Sequence, residues 1–412
     1  MPRTITITGV ISLLLLVFLR AASSGTSYQI LHSFADKPDT CPEPAAPVVF
    51  DEAGNLYATT TFSNGCVFKL MPESIGHWTE NTLYEFPKYG GTDGAQPWAP
   101  VAFDKAGNLY GTTAGGGGSG CFNLGCGTIF ELTPTTDGQW EEKIIYRFTD
   151  PGDGYAPEAG LTIDGSGNLY GTTNLGGNLS CNPGYGCGTV FQLNKSQDGS
   201  WHKTTLHAFA GGQDGAYIWA GVILDLTGKL YGVSADCYYE VCQGNGTVFE
   251  LVPEHGEWRH NVLFRFPGGP DANPLGTLTQ DSEGNLYGTT AGGACCGTVF
   301  RLSPSGAEWK QTILHTFNGA DGAEPVAGVI LDKAGNLFGT TKQGGSNREG
   351  TAFELKRSKD DWTIQVLHNF FSNYLDGYEP VAPLALGPDG ALYGTTLWGG
   401  PEGYGTVFRI VP

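Results

Sequence analysis

Apolar and polar positions follow each other in short runs along this chain, and the same order of runs returns seven times. The fullest form is D-x-x-G-N-L-Y-G-T-T, a loop, G-T-V-F-x-L, a spacer, and W-x-x-x-x-L-x-x-F. Each unit predicts four short strands, A to D: an apolar run before the Asp, then the three motif runs. A repeat of about 40–60 residues built from short strands is typical of a propeller blade. We therefore predict an all-β, seven-bladed propeller with four-stranded blades.

One repeat unit is split between the two ends of the chain. The aromatic residue of strand B recurs at Tyr57, Tyr110, Tyr170, Tyr231, Tyr287, Phe338 and Tyr393. Only six of these units are followed by the Trp-to-Phe run of strand D, because the chain stops at Pro412. A seventh strand D pattern occupies residues 28–34, near the N-terminus. We expect it to be the outer strand of the last blade, so that D is outermost and A lines a central channel.

Turn residues and loop lengths distinguish the two faces of the predicted ring. The D-x-x-G-N step predicts a tight hairpin, with Gly at positive φ and Asp or Asn as its cap. Gly in the middle of strand B suggests the close approach of a neighbouring backbone. Length varies mainly between strands B and C, and the B–C loops leave a blade on the same face as the D–A loops. We expect this loop face to bind ligands, because loops tolerate variation that a scaffold does not.

The net charge limits the binding partners of the protein, and the N-terminal residues indicate its location. The formal net charge of −19 argues against nucleic acid and anionic membrane surfaces as partners. An apolar run from Ile5 to Leu19 follows Arg3 and precedes small residues, which predicts a signal peptide over residues 1–24. An uncleaved membrane anchor is the alternative. Residues 25–412 would then form a secreted, periplasmic or cell-surface propeller, expected as a monomer without a membrane span.

The ten cysteines all map to the loop face, and their even number fits an oxidising compartment. Local disulfides are the simplest pairing, and zinc is the alternative. The spacings, the lack of nearby histidine and the export signal favour disulfides, so no metal is expected there. The adjacent pair, Cys295 and Cys296, has the alternative of remaining reduced, because its eight-membered ring would strain the peptide bond between the two residues. The expected pairs are Cys41 with Cys66, Cys121 with Cys126, Cys181 with Cys187, Cys237 with Cys242, and Cys295 with Cys296.

The D–A loops carry a repeated Asp-Gly step, replaced in the fifth blade by Asp271-Ala272. One interpretation is a ring of carboxylates that holds Ca²⁺ or a cationic ligand. The other, which a feature present in most blades favours, is a turn in which Asp caps its own loop. The aspartates are Asp93, Asp153, Asp214, Asp321 and Asp376. No other cofactor is expected.

Three tryptophans depart from the strand D motif and map to the loop face: Trp98, Trp219 and Trp398. The first two occupy the same repeat position, just before strand A. The other blades have Ala45, Glu158, Leu275, Val326 and Val381 there. Aromatic side chains near acids and amides suit sugar rings or a protein partner. They would alternatively only cover the channel mouth and the loops' own cores. Phe122, Tyr185, Tyr238 and Tyr239 add aromatics in the long B–C loops.

Signals for catalysis are weak. The histidines fall in or beside outer strand D, away from the predicted channel and loop face, and there is no nucleophile elbow, P-loop or H-E-x-x-H motif. Asp and Glu are numerous, so a carboxylate pair for glycoside hydrolysis stays open until separations are known. A binding module for a glycan or a surface protein is the leading hypothesis. A propeller-type lyase, lactonase or glycosidase and a structural surface element are the alternatives.

The repeat closely resembles the bacterial GloVer tandem-repeat family, over nearly the whole chain after the leader. Departures are Lys229 for Asn, Gly387 for Asp and Ala352 for Val. The resemblance implies an exported protein of unassigned activity and supplies no catalytic residues. The chain is distantly similar to seven-bladed propellers of the NHL and streptogramin-lyase types. The lyase type would imply a catalytic histidine on the channel face, and the repeat places none there.

Overall fold

The structure is a computed structural model that describes residues 26–35, 42–61, 64–73, 76–87, 91–238, 241–242, 244–293, 296–359, 361–373 and 375–412. It is all-β, with seven four-stranded antiparallel sheets arranged as the blades of a ring. The predicted fold class is therefore confirmed. The predicted signal peptide, residues 1–24, lies outside the described residues.

The strands are numbered in chain order. Those up to the third blade are β1 (Ser27–Ser33), β2 (Val49–Phe50), β3 (Leu56–Thr60), β4 (Cys66–Pro72), β5 (Trp78–Glu85), β6 (Gly94–Ala95), β7 (Ala102–Phe103), β8 (Leu109–Thr113), β9 (Gly115–Gly116), β10 (Thr128–Pro134), β11 (Trp140–Arg147), β12 (Thr162–Ile163), β13 (Leu169–Thr173), β14 (Thr189–Lys195) and β15 (Trp201–Ala208). One short helix, α1 (Gly120–Asn123), and one 3₁₀ turn, Gly212–Asp214, lie in loops.

The remaining strands belong to the fourth to seventh blades and their loops. They are β16 (Ile223–Leu224), β17 (Leu230–Ser234), β18 (Cys237–Tyr238), β19 (Val241–Cys242), β20 (Thr247–Glu254), β21 (Glu257–Arg265), β22 (Thr279–Gln280), β23 (Leu286–Thr290), β24 (Thr298–Ser305), β25 (Glu308–Thr316), β26 (Ile330–Leu331), β27 (Leu337–Thr341), β28 (Thr351–Ser358), β29 (Asp361–Asn369), β30 (Gly377–Tyr378), β31 (Ala385–Leu386), β32 (Leu392–Thr396), β33 (Trp398–Gly399) and β34 (Thr406–Val411).

Strand order within the sheets follows the chain, except in the seventh blade. The first six sheets, innermost strand first, are β2-β3-β4-β5, β7-β8-β10-β11, β12-β13-β14-β15, β16-β17-β20-β21, β22-β23-β24-β25 and β26-β27-β28-β29. The seventh is β31-β32-β34-β1, so its outer strand comes from the other end of the chain. β1 and β34 are antiparallel, with Ser27 opposite Val411 and Ser33 opposite Thr406.

Each blade is packed around the phenylalanine of its third strand. Phe300, for example, is fully buried, and its ring lies over Gly288 of β23. A Cβ at Gly288 would be 2.6 Å from the Cζ of Phe300. The expectation that a neighbouring backbone makes this close approach was wrong: the neighbour is the aromatic ring of the same blade. The first blade has Ala58 at the equivalent position, also fully buried.

Neighbouring blades contact each other through pairs of phenylalanines. The Phe that directly follows each outer strand contacts the third-strand Phe of the next blade, with ring centroids 5.1–5.5 Å apart. The rings pack edge-to-face in six of these pairs and are tilted in Phe370–Phe408, and this packing adds to the burial of apolar area. The pairs are Phe34–Phe68, Phe86–Phe130, Phe148–Phe191, Phe209–Phe249, Phe266–Phe300, Phe317–Phe353 and Phe370–Phe408. The first pair joins the N-terminal strand to the first blade.

The first hairpin of each of the first six blades has the predicted Asp cap. In the second blade, Oδ1 of Asp104 accepts hydrogen bonds from the backbone N–H groups of Ala106 and Asn108. Gly107 has a φ of 89°, as the turn requires. The seventh blade, which has Gly387 in place of this Asp, uses Asp389 instead, whose Oδ2 accepts the Tyr393 hydroxyl at 3.0 Å.

Two of the predicted disulfides lie entirely within the described residues. Cys121–Cys126 and Cys181–Cys187 each close one B–C loop, with Cα atoms 5.0 Å and 5.9 Å apart. Cys66 and Cys296 are also disulfide-bonded, and their predicted partners, Cys41 and Cys295, lie outside the described residues. The backbones of Cys237 and Cys242 face each other across the β18–β19 hairpin, where a disulfide stays a prediction.

We expect a thiol titration of the denatured, unreduced protein to give less than one free thiol per chain. Every cysteine whose side chain the structure describes is in a disulfide, and each small ring stabilises the fold by roughly 2 kcal/mol on the chain-entropy estimate. The same titration after reduction provides the total. Four or more free thiols before reduction would contradict the pairing.

Candidate functional site at the channel mouth

One residue from each blade surrounds the loop-face mouth of the central channel. Each of these seven residues lies a few positions before the innermost strand of its blade, and together they line a cavity of about 640 Å³. Ligand pockets of proteins commonly have volumes of about 300–1,000 Å³. The seven are Ala45, Trp98, Glu158, Trp219, Leu275, Val326 and Val381. A smaller space of about 280 Å³ is lined by the same seven residues together with residues that follow them in the chain.

The backbone of this ring is held by hydrogen bonds between blades. A threonine of the second strand donates its hydroxyl to the carbonyl just after the ring residue of the next blade, as Thr112 does to Ala159 at 3.0 Å. In the fourth blade Val233 replaces this threonine. The other such bonds are Thr59 to Ala99, Thr172 to Ala220, Thr289 to Ala327, Thr340 to Ala382 and Thr395 to Ala46. The ring residues therefore project from a fixed frame.

Three consecutive blades give the mouth a distinct side. Trp98, Glu158 and Trp219 follow each other around the ring. Trp98 is 40% exposed, although tryptophan is usually well buried, and Trp219 is half-buried. The remaining ring positions are aliphatic. Sequence reasoning found both tryptophans; it noted Glu158 only as the residue that occupies their position in the third blade.

Glu158 is the only carboxylate among the described residues that line the wider cavity. The side chain of Asn174 donates a hydrogen bond to its Oε2 at 3.0 Å. Burial among apolar groups raises the pKa of the Glu158 carboxyl to about 7, although the bond from Asn174 opposes the shift. Lys342 also lines the cavity, and its Nζ lies 3.9 Å from Glu379.

The other predicted aromatic residues are elsewhere. Trp398 is half-buried in β33, paired with Tyr378 of β30, and does not line the cavity. Tyr185 is 41% exposed and stacks on Phe122, with ring centroids 5.0 Å apart. This aromatic pair joins the two disulfide-closed loops of the second and third blades. The Tyr238 side chain and the whole of Tyr239 lie outside the description.

The Asp-Gly aspartates lie between blades and bond to the outer strands. Asp153 accepts the Tyr146 hydroxyl at 2.7 Å and pairs with Lys203 of the next blade at 2.9 Å. Equivalent bonds join Tyr84 to Asp93, His207 to Asp214, His315 to Asp321, and His368 to Asp376. None of these aspartates lines the cavity as described. These contacts are with side chains of the outer strands. Three of them show that outer-strand histidines reach the D–A loops, which the repeat pattern did not reveal.

One of these junctions resembles a metal site in composition. His207 Nε2 and His260 Nδ1 lie 3.0 Å and 3.1 Å from the two oxygens of Asp214. Burial alone would raise the pKa of Asp214, but the two histidine bonds hold it far below its usual range. The two rings are stacked, 4.0 Å apart and 8° from parallel. Parallel rings at this separation cannot both direct an in-plane nitrogen at one ion about 2.0–2.1 Å away. In this geometry the cluster is a hydrogen-bonded junction between two blades.

Sequence comparison places the chain in a family. The pattern described as the Gloeobacter/Verrucomicrobia repeat matches residues 17–236, 123–305 and 228–412. The chain belongs to the Gloeobacter/Verrucomicrobia repeat family. This confirms the predicted resemblance. Among proteins of curated function, none matches this repeat protein.

Solved structures share the fold of this repeat protein. A chain described as the extracellular domain of a hybrid two-component system, BT4673 of B. thetaiotaomicron, matches with a TM-score of 0.57 and 14% identity, over 94% of this chain and 42% of its own. A protein described as a 6-phosphogluconolactonase from Bacteroides uniformis matches with a TM-score of 0.50 and 16% identity, over 80% and 84%. The repeat protein thus spans less than half the length of the first. At these identities the likeness is one of fold alone.

In the described part of the repeat protein, no helix is both long enough and apolar enough to cross a bilayer.

Proposed function

We propose that this protein is an exported binding module whose ligand occupies the channel mouth. The observation that carries the proposal is the cavity of about 640 Å³ beside Trp98, Glu158 and Trp219. A concave, mostly apolar pocket with a few polar groups is the usual form of a ligand site. The disulfides support an oxidising compartment for the protein.

A glycan is the ligand that the lining favours, and a surface protein is the second candidate. Two indole rings offer flat apolar surfaces, while the Glu158 carboxylate and the Lys342 ammonium offer hydrogen bonds. Sugars present the matching combination of an apolar ring face and polar hydroxyl groups. Hydrolysis by a carboxylate pair has less support, because the pair mechanism needs two carboxyl groups and the described lining of this cavity contains one.

The test is a glycan array with residues 25–412, followed by titration of the strongest binder against variants. We expect Trp98→Ala and Trp219→Ala to weaken binding roughly tenfold or more, because truncation of an aromatic anchor in an interface costs about 2 kcal/mol. Calorimetry of each variant measures the affinity.

Trp398→Ala is the matched control, since this tryptophan lies on the loop face but outside the cavity. Asp137→Ala, at a fully exposed turn of the second blade, is a further control. Both should bind like the parent protein. Equal affinity in all four variants, with thermal unfolding unchanged, would contradict the proposed site.

A further inference from the structure

The charged groups that line the channel mouth indicate which class of ligand it would bind. Six of its seven ring positions are apolar or aromatic, and the seventh is the carboxyl group of Glu158. The bond that the structure describes for this group comes from an uncharged amide, Asn174. Within the described residues, no lysine, arginine or histidine forms an ion pair with Glu158; Lys342, the other charged residue of the lining, is paired with Glu379.

A carboxylate in such surroundings is costly to keep ionised. Low-polarity surroundings disfavour the charged form, and one amide bond compensates only part of the lost hydration. The raised pKa of Glu158 expresses this cost. A cation that entered the cavity would supply the missing partner, so its binding and the ionisation of Glu158 would favour each other.

The neighbours of Glu158 add a preference for an organic cation. Trp98 and Trp219 occupy the adjacent ring positions on either side, and the indole face attracts ammonium groups more strongly than other aromatic rings do. A metal ion would be poorly served, because Ca²⁺ takes 6–8 oxygen ligands and this side of the ring offers one carboxylate. The net charge of −19 also attracts polycations over longer distances.

Resting on the proposed function of the mouth, we propose that its ligand is a glycan with free amino groups, whose ammonium pairs with Glu158 while its sugar rings lie against Trp98 and Trp219. The neutral N-acetylated form of the same glycan has equal ring shape but lacks the charge. The mouth therefore discriminates between the two forms through Glu158.

The experiment compares a trimer of glucosamine with a trimer of N-acetylglucosamine by calorimetry at pH 7 and low salt. We expect the amine form to bind at least tenfold more tightly to the parent protein. In Glu158→Gln, which retains an acceptor for the Asn174 bond, the two trimers should bind within about threefold of each other. Glu324→Gln removes one negative charge from the same face, outside the cavity lining, and should keep the preference.

A pH series uses a trimethylated glucosamine trimer, because the charge of its quaternary nitrogen does not titrate. Glu158 has a pKa of about 7, so protonation competes with the ligand at lower pH. We expect affinity to be about tenfold or more weaker at pH 5.5 than at pH 8. The affinity of Glu158→Gln should not depend on pH in this way. If the Lys342–Glu379 pair caused the pH dependence instead, the variant would retain it.

Several outcomes overturn the inference. Equal affinity for the two trimers would leave the mouth as a glycan site without amine recognition. A preference that persists in Glu158→Gln would assign the charge recognition to another group. Binding of trilysine with the same Glu158 dependence, but of neither sugar, would make the ligand a basic peptide. If neither sugar and no peptide bound, the proposal of an amino-bearing glycan would be refuted. The glycan array and the tryptophan variants test separately whether the channel mouth is a ligand site.

Discussion

A chain that starts at residue 35 should be unable to close the ring and should aggregate, whereas a chain that starts at residue 26 should be a stable monomer. The missing segment contains β1, which supplies the outer strand of the seventh blade. It also contains Phe34, which is 1% exposed and packs on Phe68 of the first blade. Removal of a fully buried Phe side chain alone costs about 3–5 kcal/mol, and β34 becomes an exposed edge strand.

Light scattering after size exclusion and thermal unfolding measure the effect of this truncation. A synthetic peptide of residues 26–35, added in excess, should partly restore the unfolding midpoint, because it can pair with β34 in the register of the intact chain. A truncated protein that stays monomeric with an unchanged midpoint would show that the strand does not contribute to closure.

Phe300→Ala should lower the unfolding midpoint by several degrees. The ring is fully buried between Gly288 of its own blade and Phe266 of the preceding one. Truncation of a buried Phe leaves a cavity and costs about 3–5 kcal/mol. Differential scanning calorimetry measures the change. Phe371→Ala is the control, because this side chain is 44% exposed and its loss should change stability by about 0.5 kcal/mol or less. Equal midpoints would contradict the role of the third-strand phenylalanines.

The fold was predictable because the same pattern of strands and turns recurs in seven repeat units. Most blades repeat the Asp turn, the Gly-to-Phe contact and the Trp-to-Phe strand, so local signals and tertiary packing agree. The group that packs against the mid-strand glycine was not predictable. A glycine in the sequence indicates that some group comes close, but it does not show which one. The structure shows the neighbour to be a phenylalanine ring, as at Gly288 and Phe300.

The candidate site was predictable in part. Trp98 and Trp219 depart from the repeat at one shared position, and a departure from a repeat is visible in a single sequence. Trp398 also departs from it, but only coordinates show that it lies outside the cavity. Glu158 also differs from the aliphatic residues at this repeat position, but the burial that raises its pKa is visible only in the structure. The pairing of His207 with Asp214 and His260 depends in the same way on the contact between two blades.

A crystal structure with the strongest binder from the array tests most directly whether the channel mouth is the ligand site. We expect ligand density in the cavity, against the rings of Trp98 and Trp219 and within hydrogen-bond distance of Glu158. Density on the exposed Phe122–Tyr185 pair or elsewhere, with the mouth empty, would contradict it.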